Sequence, residues 1–524
     1  MNGSAVGFRL VSLVLFASAL GLGGAARAEV TLGKLFSDTM MFQRDAPIRV
    51  WGTAAPGEMV KVRLVGKTDE RKGETKADDK GGWLVELTAL AAGTDLELTV
   101  TAANTLVLRN VIVGDIWLCS GQSNMEWSLG QCDGAEDAKA ADLPLIRRIK
   151  FNHVNSPSAQ AEPPVTGAWQ ACSPQTASGF TAAGFYFARE LHAQTGVPIG
   201  LLDDNWGGTA IEPWIAPEGI DDTMKPAIAA WRTEQLPKYF DELERWLVRA
   251  RADAASGAAI AAMPTMPPGP AAGYSGIYNA MIHPIVRFPI KGTIWYQGES
   301  NGAEGESYLR KMEALVGGWR KVWGQPQMPF YYVQLASYQK PTDNPAGADG
   351  WAKLREAQRH ALRIPHTGMV VAIDTVPLAV AGDIHPKNKY DLGMRLARWA
   401  LHRDYGQAGL VPSGPLFKGM KVEGGTVRLE FDHAGSGLMV GLKDGTRKPV
   451  VEDPAGTLKR FAVAGADKKW AWADAVIDGK TVVVSSKEVK EPVAVRYAFS
   501  MNPDGANLYN REGLPASPFR SDDW

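Results

Sequence analysis

The sequence predicts an α/β protein in which a parallel, three-layered α/β domain is flanked on both sides by β-rich modules. Two observations carry this. In the middle of the chain five apolar strand-like runs alternate with amphipathic helical stretches, as in a parallel sheet covered by helices. On either side, short β-type runs follow one another between turn residues, as in antiparallel sandwiches. With 524 residues the chain is long enough for two or three such units.

The elements follow in order. Residues 1–28 read as a signal peptide, with Arg9 ahead of the apolar run Leu10 to Leu22 and Ala26-Arg27-Ala28 as a small-x-small cleavage site. Export to the periplasm or medium, with cleavage after Ala28, is the expectation. Residues 29–110 form a β-sandwich-like module, with runs at Pro47 to Trp51, Met59 to Val65, Trp83 to Leu87 and Leu96 to Thr101. The α/β domain spans 111–408. Its strand runs are Val111 to Cys119, Val197 to Leu202, Gly292 to Tyr296, Phe330 to Leu335 and Met369 to Ile373. Its helix candidates are Ala183 to Thr195, Glu306 to Trp323, Leu354 to Leu362 and Asn388 to Tyr405, where Leu392, Leu396 and Trp399 share one face. An insertion at 221–273 combines a helix-prone half with a proline-rich loop, either rimming a site or making a surface excursion. Residues 409–524 return to β-type runs, with Trp470 and Trp472 alternating as on a strand face, either packed or exposed to stack on sugars.

Composition excludes several classes. Without residues 1–28 the chain holds 54 Lys+Arg against 57 Asp+Glu, so nothing draws it to nucleic acid. No other charge-free segment is long enough to span a bilayer, so no membrane association is expected after cleavage. Cys119, Cys132 and Cys172 are no disulfide framework: Cys119 reads as a buried small hydrophobe, and Cys132 and Cys172 either pair or stay free. The eight histidines are scattered without zinc-like spacing, so neither a metal nor a cofactor is expected.

Chemistry gathers where strands end, the edge at which open α/β sheets hold ligands. Gly121-Gln122-Ser123-Asn124-Met125 follows the first strand and offers a serine hydroxyl. Asn205-Trp206-Gly207-Gly208-Thr209 follows the second, and paired glycines there let a backbone N–H point at a developing oxyanion. Trp295-Tyr296-Gln297-Gly298-Glu299-Ser300-Asn301 ends the third in an uncharged amide, either an oxyanion donor or a local cap. Asp383-Ile384-His385-Pro386 precedes the last helix, where a histidine can act as base with a carboxylate at its other nitrogen. His283 is the rival base, otherwise a pocket-lining or buried histidine.

These four segments, in this order, resemble the sialate O-acetylesterase family of the SGNH hydrolase superfamily. The likeness covers about Val111 to Tyr405, and Asn507 to Asn510 with Gly513 to Phe519 resembles the tail of bacterial members. The resemblance implies a flavodoxin-like three-layer α/β/α fold and a carbohydrate O-acetylesterase without metal or cofactor. Ser123 would be the nucleophile and His385 the base. The N–H groups of Ser123 and of Gly208 or Gly207, with the Gln297 side chain, would form the oxyanion hole. Gln122, Asn124, Trp206, Glu212, Trp214, Trp295 and Glu299 are the substrate-binding candidates. The acid behind His385 is left open between Asp383, Asp374 and a backbone carbonyl, because the family's usual aspartate position is here Gly382. The substrate would be acetylated sialic acid or an acetylated plant polysaccharide such as xylan or xyloglucan. A broader SGNH lipase or arylesterase, or a non-catalytic carbohydrate-binding protein, are the other readings.

Overall fold

The computed structural model describes residues 29–524 apart from 166, 231, 232, 235 and 265–273. The expected signal peptide and the end of the proline-rich loop therefore lie outside the described residues.

The architecture is a mixed α/β fold built around one large mixed sheet, with further β-sheets on both sides of it in sequence. Its part relevant to function contains β1 (Thr105–Gly121), β2 (Leu143–Lys150), β3 (Gln170–Cys172), β4 (Ile199–Asp203), β5 (Gly292–Tyr296), β6 (Phe330–Val333) and β7 (Thr367–Val370), in the spatial order β3-β2-β4-β1-β5-β6-β7. All neighbours are parallel except β3, which runs antiparallel to β2 at the edge. The five apolar runs read from the sequence are β1, β4, β5, β6 and β7. What that reading lacks is the three-residue edge strand β3 and β2, Leu-Pro-Leu-Ile-Arg-Arg-Ile-Lys, whose basic residues hide its strand character. Their heads are absorbed by the fold: Arg147 donates to the carbonyls of Thr39 and Met40, and Lys150 Nζ lies 3.1 Å from Asp203.

The helices that matter are α1 (Ser123–Glu126), α2 (Ala182–Thr195), α3 (Tyr308–Trp323), α4 (Gly350–His360) and α5 (Lys389–Asp404). Successive strand residues point to opposite faces, and here each face meets helices. Trp117, Cys119, Leu201, Ile294 and Tyr296 pack with Phe187 and Leu191 of α2 and with Leu392, Leu396 and Trp399 of α5. Leu118, Leu202, Trp295 and Phe330 pack with Leu315, Trp319 and Trp323 of α3 and Leu354 of α4. A sheet buried on both faces needs strands apolar at every position, which is why these runs are continuous rather than alternating. Side-chain oxygens of Thr181, Asp349 and Asn388 cap α2, α4 and α5.

β1 is 17 residues long, and its first half pairs antiparallel with Gly93–Thr101 before its second half enters the parallel sheet. Within the strand Asn110 has a φ of 55°, a conformation asparagine tolerates. C-terminal to α5 the strands form two four-stranded sheets and a three-stranded one. Trp472, 41 % exposed on one of them, lies under Arg460 rather than in the core. This region also grips α5: the Asn388 amide donates to Thr446 O at 3.0 Å, and Lys443 Nζ lies 2.7 Å from Asp391. In the insertion, Lys225–Ala230 and Leu236–Ser256 are helical. All three cysteines are free, so Cys132 and Cys172 do not pair.

Candidate active site

The site grows from the turn that ends β1. Gly121 has φ 133°, and a Cβ there would lie 2.2 Å from the Tyr296 carbonyl oxygen, so only glycine lets β1 close on β5 at this point. Tyr296 O then accepts the Gln122 N–H at 3.0 Å, and α1 begins. A four-residue helix this short holds its shape through contacts outside itself. Its polar side chains, and the Trp127 that follows, bind segments distant in sequence.

Ser123 Oγ and His385 Nε2 are 2.9 Å apart, although the two residues are 262 positions apart in sequence. His385 Nδ1 lies 3.3 Å from Asp383 Oδ1, and the same oxygen accepts the His385 backbone N–H at 2.9 Å. With the ring proton on Nδ1, Nε2 is left to accept from the serine hydroxyl. Trp127 stacks on the imidazole with centroids 4.4 Å apart and planes 12° from parallel. Lys387 Nζ lies over the same indole, 3.8 Å from its centroid. Burial pulls the His385 pKa below its ordinary value, and the charges of Lys389 and Lys387 act in the same direction, while Asp383 opposes them. The imidazole is therefore neutral at pH 7 and able to take a proton. Asp374 is not its partner. It is buried and held by both terminal nitrogens of Arg395, at 2.7 and 2.8 Å. His283 is exposed and bonds the Gln160 carbonyl at 3.1 Å.

Two backbone N–H groups near the serine are candidate oxyanion donors. The Ser123 N–H opens a helix and has no intrahelical acceptor. Gly207 is pressed against the serine, since a Cβ on it would sit 3.2 Å from Ser123 Cβ. Its own N–H is used, donating to Glu126 Oε2 at 2.6 Å. Gly208, exposed and at φ 76°, is the residue of the pair with an N–H to offer.

Several sequence expectations need correction. Gln297 is fully buried, and its amide donates to Asn301 Oδ1 at 2.7 Å and to Gln122 Oε1 and Thr209 O at 3.2 Å. Two amide hydrogens facing three acceptors leave none for an oxyanion. Gln297 is a bracket beneath the site, and Tyr308 donates to its Oε1 at 2.7 Å. Trp214 and Trp295 do not rim a pocket: both are buried, edge to face with ring centroids 5.9 Å apart, and Trp295 continues the stack onto Trp319. A tryptophan in a strand covered on both faces goes to the core. Glu212 is buried and committed to Lys311 and to Asn301 Nδ2. Gln122 is buried, its Oε1 accepting the Ser300 N–H at 3.2 Å. Asn124 is buried too. It bonds the carboxylate of Glu299, donates to Ile384 O at 3.1 Å and accepts from Lys389, so Glu299 serves this bracket and not an open rim. Burial raises the Glu299 pKa and pushes the Lys389 ammonium down to about 8. Of the rim candidates, only Trp206 is half exposed without such a bracket, stacked on His153 at 4.9 Å.

Sequence reading missed Glu126, Trp127, His153 and Lys389. The first two are the direct continuation of the serine motif, on a helix turn that brings positions three and four along to the same side. His153 follows β2, so missing that strand also concealed the residue at its end.

The matches to known proteins fit this geometry. The family model described as carbohydrate esterase, sialic acid-specific acetylesterase, matches residues 113–402. Mouse sialate O-acetylesterase (Mus musculus) is 27% identical over 512 residues, 90% of each chain. The human protein (Homo sapiens) is 28% identical over 411 residues, 72% of each. Among solved structures, a carbohydrate acetylesterase from Xanthomonas citri aligns with a TM-score of 0.77 at 39% identity, covering 95% of this chain and 100% of that one.

The two aspartates should separate in mutants. Asp374→Asn leaves the buried Arg395 charge underpaired, so thermal or urea unfolding should show a loss of up to about 3–5 kcal/mol. Asp383→Asn, at a side chain 43% exposed, should leave unfolding nearly unchanged while lowering turnover. Trp295→Ala should lose about 3–5 kcal/mol in the same unfolding measurement, since it empties the centre of an aromatic stack; a rim residue would lose almost none.

Proposed function

The chain belongs to the carbohydrate esterase family of sialic acid-specific acetylesterases and is therefore an ester hydrolase, and on that premise we propose that it removes acetyl groups from sugar hydroxyls through an acetyl-Ser123 intermediate. The observation that carries the mechanism is the 2.9 Å contact between Ser123 Oγ and His385 Nε2. As Oγ bonds to the acetyl carbonyl carbon, its proton passes to Nε2. The carbonyl oxygen gains the negative charge and is met by the N–H groups of Ser123 and Gly208. Collapse of this intermediate breaks the bond to the sugar oxygen, which takes the proton from Nε2. A water molecule then repeats the sequence on the acetyl-enzyme: His385 accepts its proton, acetate leaves and Oγ regains its hydrogen. Asp383, next to Nδ1, steadies the imidazolium in both halves.

The substrates consistent with this reading are O-acetylated sialic acid and acetylated plant polysaccharides such as xylan or xyloglucan. The same reading takes 111–408 as a hydrolytic domain of SGNH three-layer type, with 29–110 and 409–524 as its accessory β modules. The grip of 443–447 on α5 supports a role for the second of these in holding the histidine segment.

Acetate release from acetylated sialosides, xylans and xyloglucans should fall by about 10⁴-fold or more in Ser123→Ala and His385→Ala. Equal turnover of butyryl and acetyl esters would instead indicate a broad lipase or arylesterase. Intact sugar binding with no hydrolysis of 4-nitrophenyl acetate would indicate a binding protein. The pH profile has a defined sign. The base acts when neutral and its pKa is lowered, so kcat/KM should hold to below about 6.5 and fall at lower pH. Asp383→Asn removes a charge that raises this pKa, so its acid limb should move further down; an unmoved limb would remove Asp383 from contact with the base.

A further inference from the structure

Glu126, at the end of the helix that carries Ser123, spans two other segments. Oε2 accepts the Gly207 N–H at 2.6 Å, and Oε1 lies 2.8 Å from His153 Nε2. The His153 ring is stacked on Trp206 only 7° from parallel. Trp206 in turn donates its backbone N–H to Gly121 O at 3.0 Å, and Thr209 Oγ1 donates to Trp206 O at 2.7 Å. These contacts close a ring: strand end, serine helix, Glu126, the glycine turn and back to Gly121.

The ring surrounds a weak point. An oxyanion donor stabilises a transition state only when its N–H is already aimed, because reorienting it during the reaction uses up the gain. Two adjacent glycines are the least constrained backbone available. Gly208 is exposed, and besides the Thr209 bond that closes the turn, the bond between Gly207 N–H and Glu126 is the side-chain contact made to the pair itself. That bond also fixes the turn against the serine, where Gly207 has room for a hydrogen but no side chain. Electrostatics alone argue against a carboxylate here, since its charge opposes the one forming nearby. What it supplies is reach and an acceptor atom, and His153 holds its second oxygen.

We propose that Glu126 is a positioning residue of the oxyanion site, whose side chain holds the Gly207–Gly208 turn against Ser123 so that the Gly208 N–H points at the developing oxyanion. This rests on the serine mechanism above. It acts through the turn, so it belongs to the rate of the chemical step and not to ground-state binding of the ester.

Reach and charge are separated by two variants assayed with 4-nitrophenyl acetate, with thermal midpoints measured alongside. Glu126→Asp keeps the charge but shortens the arm, and kcat should fall about 10–100-fold while KM changes by less than about threefold. Glu126→Gln keeps the length and an acceptor oxygen, and should recover most of that loss, to within about fivefold of wild type. His153→Ala, which frees the second oxygen, should fall between them. Wild-type kcat in Glu126→Asp, or a Glu126→Gln as impaired as Glu126→Asp, overturns the proposal. Ser123→Ala in the same assay keeps the two ideas apart. If it retains activity, the serine mechanism fails; if it is inactive while Glu126→Asp is unimpaired, only the role of Glu126 fails.

Discussion

The site depends on one close approach, the backbone of Gly121 against the carbonyl of Tyr296. Because β1 and β5 can meet there, the chain leaves the sheet directly into α1, and Ser123, Asn124, Glu126 and Trp127 fan out from a single turn. Each reaches a part of the chain distant in sequence. Ser123 meets His385, Asn124 holds the carbonyl that precedes His385, Glu126 holds Gly207, and Trp127 lies flat on the imidazole. A side chain at position 121 would force the strands apart and misplace all four at once. Ser123 is thus set by backbone packing, and its partners are set relative to it.

Below this layer lies a buried polar bracket whose members bond to one another, with Glu299 Oε2 left without a partner among the described residues. Gln297, Gln122 and Asn301 exchange hydrogen bonds, Asn301 passes to Glu212, and Glu212 to Lys311. A second branch joins Asn124 to Glu299 and Lys389. Burying these groups is costly unless each is bonded, but a bonded network has few alternative arrangements. Its rigidity matters because it supports loops, not strands: Gly298 to Asn301, the turn after β4, and the segment carrying His385 all rest on it. The strand ends give the site its position, and this network gives the loops beyond them their shape.

This division explains what could be read from the sequence. Five of the six parallel strands, the four core helices and the Ser123–His385 pair were legible, because continuous apolar runs, helical spacing and short motifs at strand ends are local signals. Residue type also marked Gln297, Glu212, Glu299 and Trp295 as functional, yet the fold uses them as brackets and core. An amide or carboxylate at a strand end looks the same in sequence whether its donors face a ligand or a neighbour. Only the count of partners in three dimensions separates the two cases, as with the three acceptors around the Gln297 amide. β2 was hidden for the converse reason: its arginines and lysine suggest solvent, but their heads find carbonyls and Asp203.

In the proposed mechanism Asp383 is the acid behind the base, and its hold on His385 follows the same logic. Asp383 is half exposed and 3.3 Å from Nδ1, a looser hold than a buried carboxylate would make. Stacking on Trp127 already fixes the ring plane, and the Asp383 bond to the His385 backbone N–H fixes the loop. The ring is thus oriented by packing and the loop by a short local turn, which leaves the carboxylate chiefly an electrostatic task. In water-exposed surroundings that task is small in the ground state and grows when the imidazole becomes charged and the bound ester excludes solvent. In that mechanism an aspartate two residues before the histidine, and not three, would suffice because Trp127 supplies the orientation that a tighter carboxylate would otherwise have to provide.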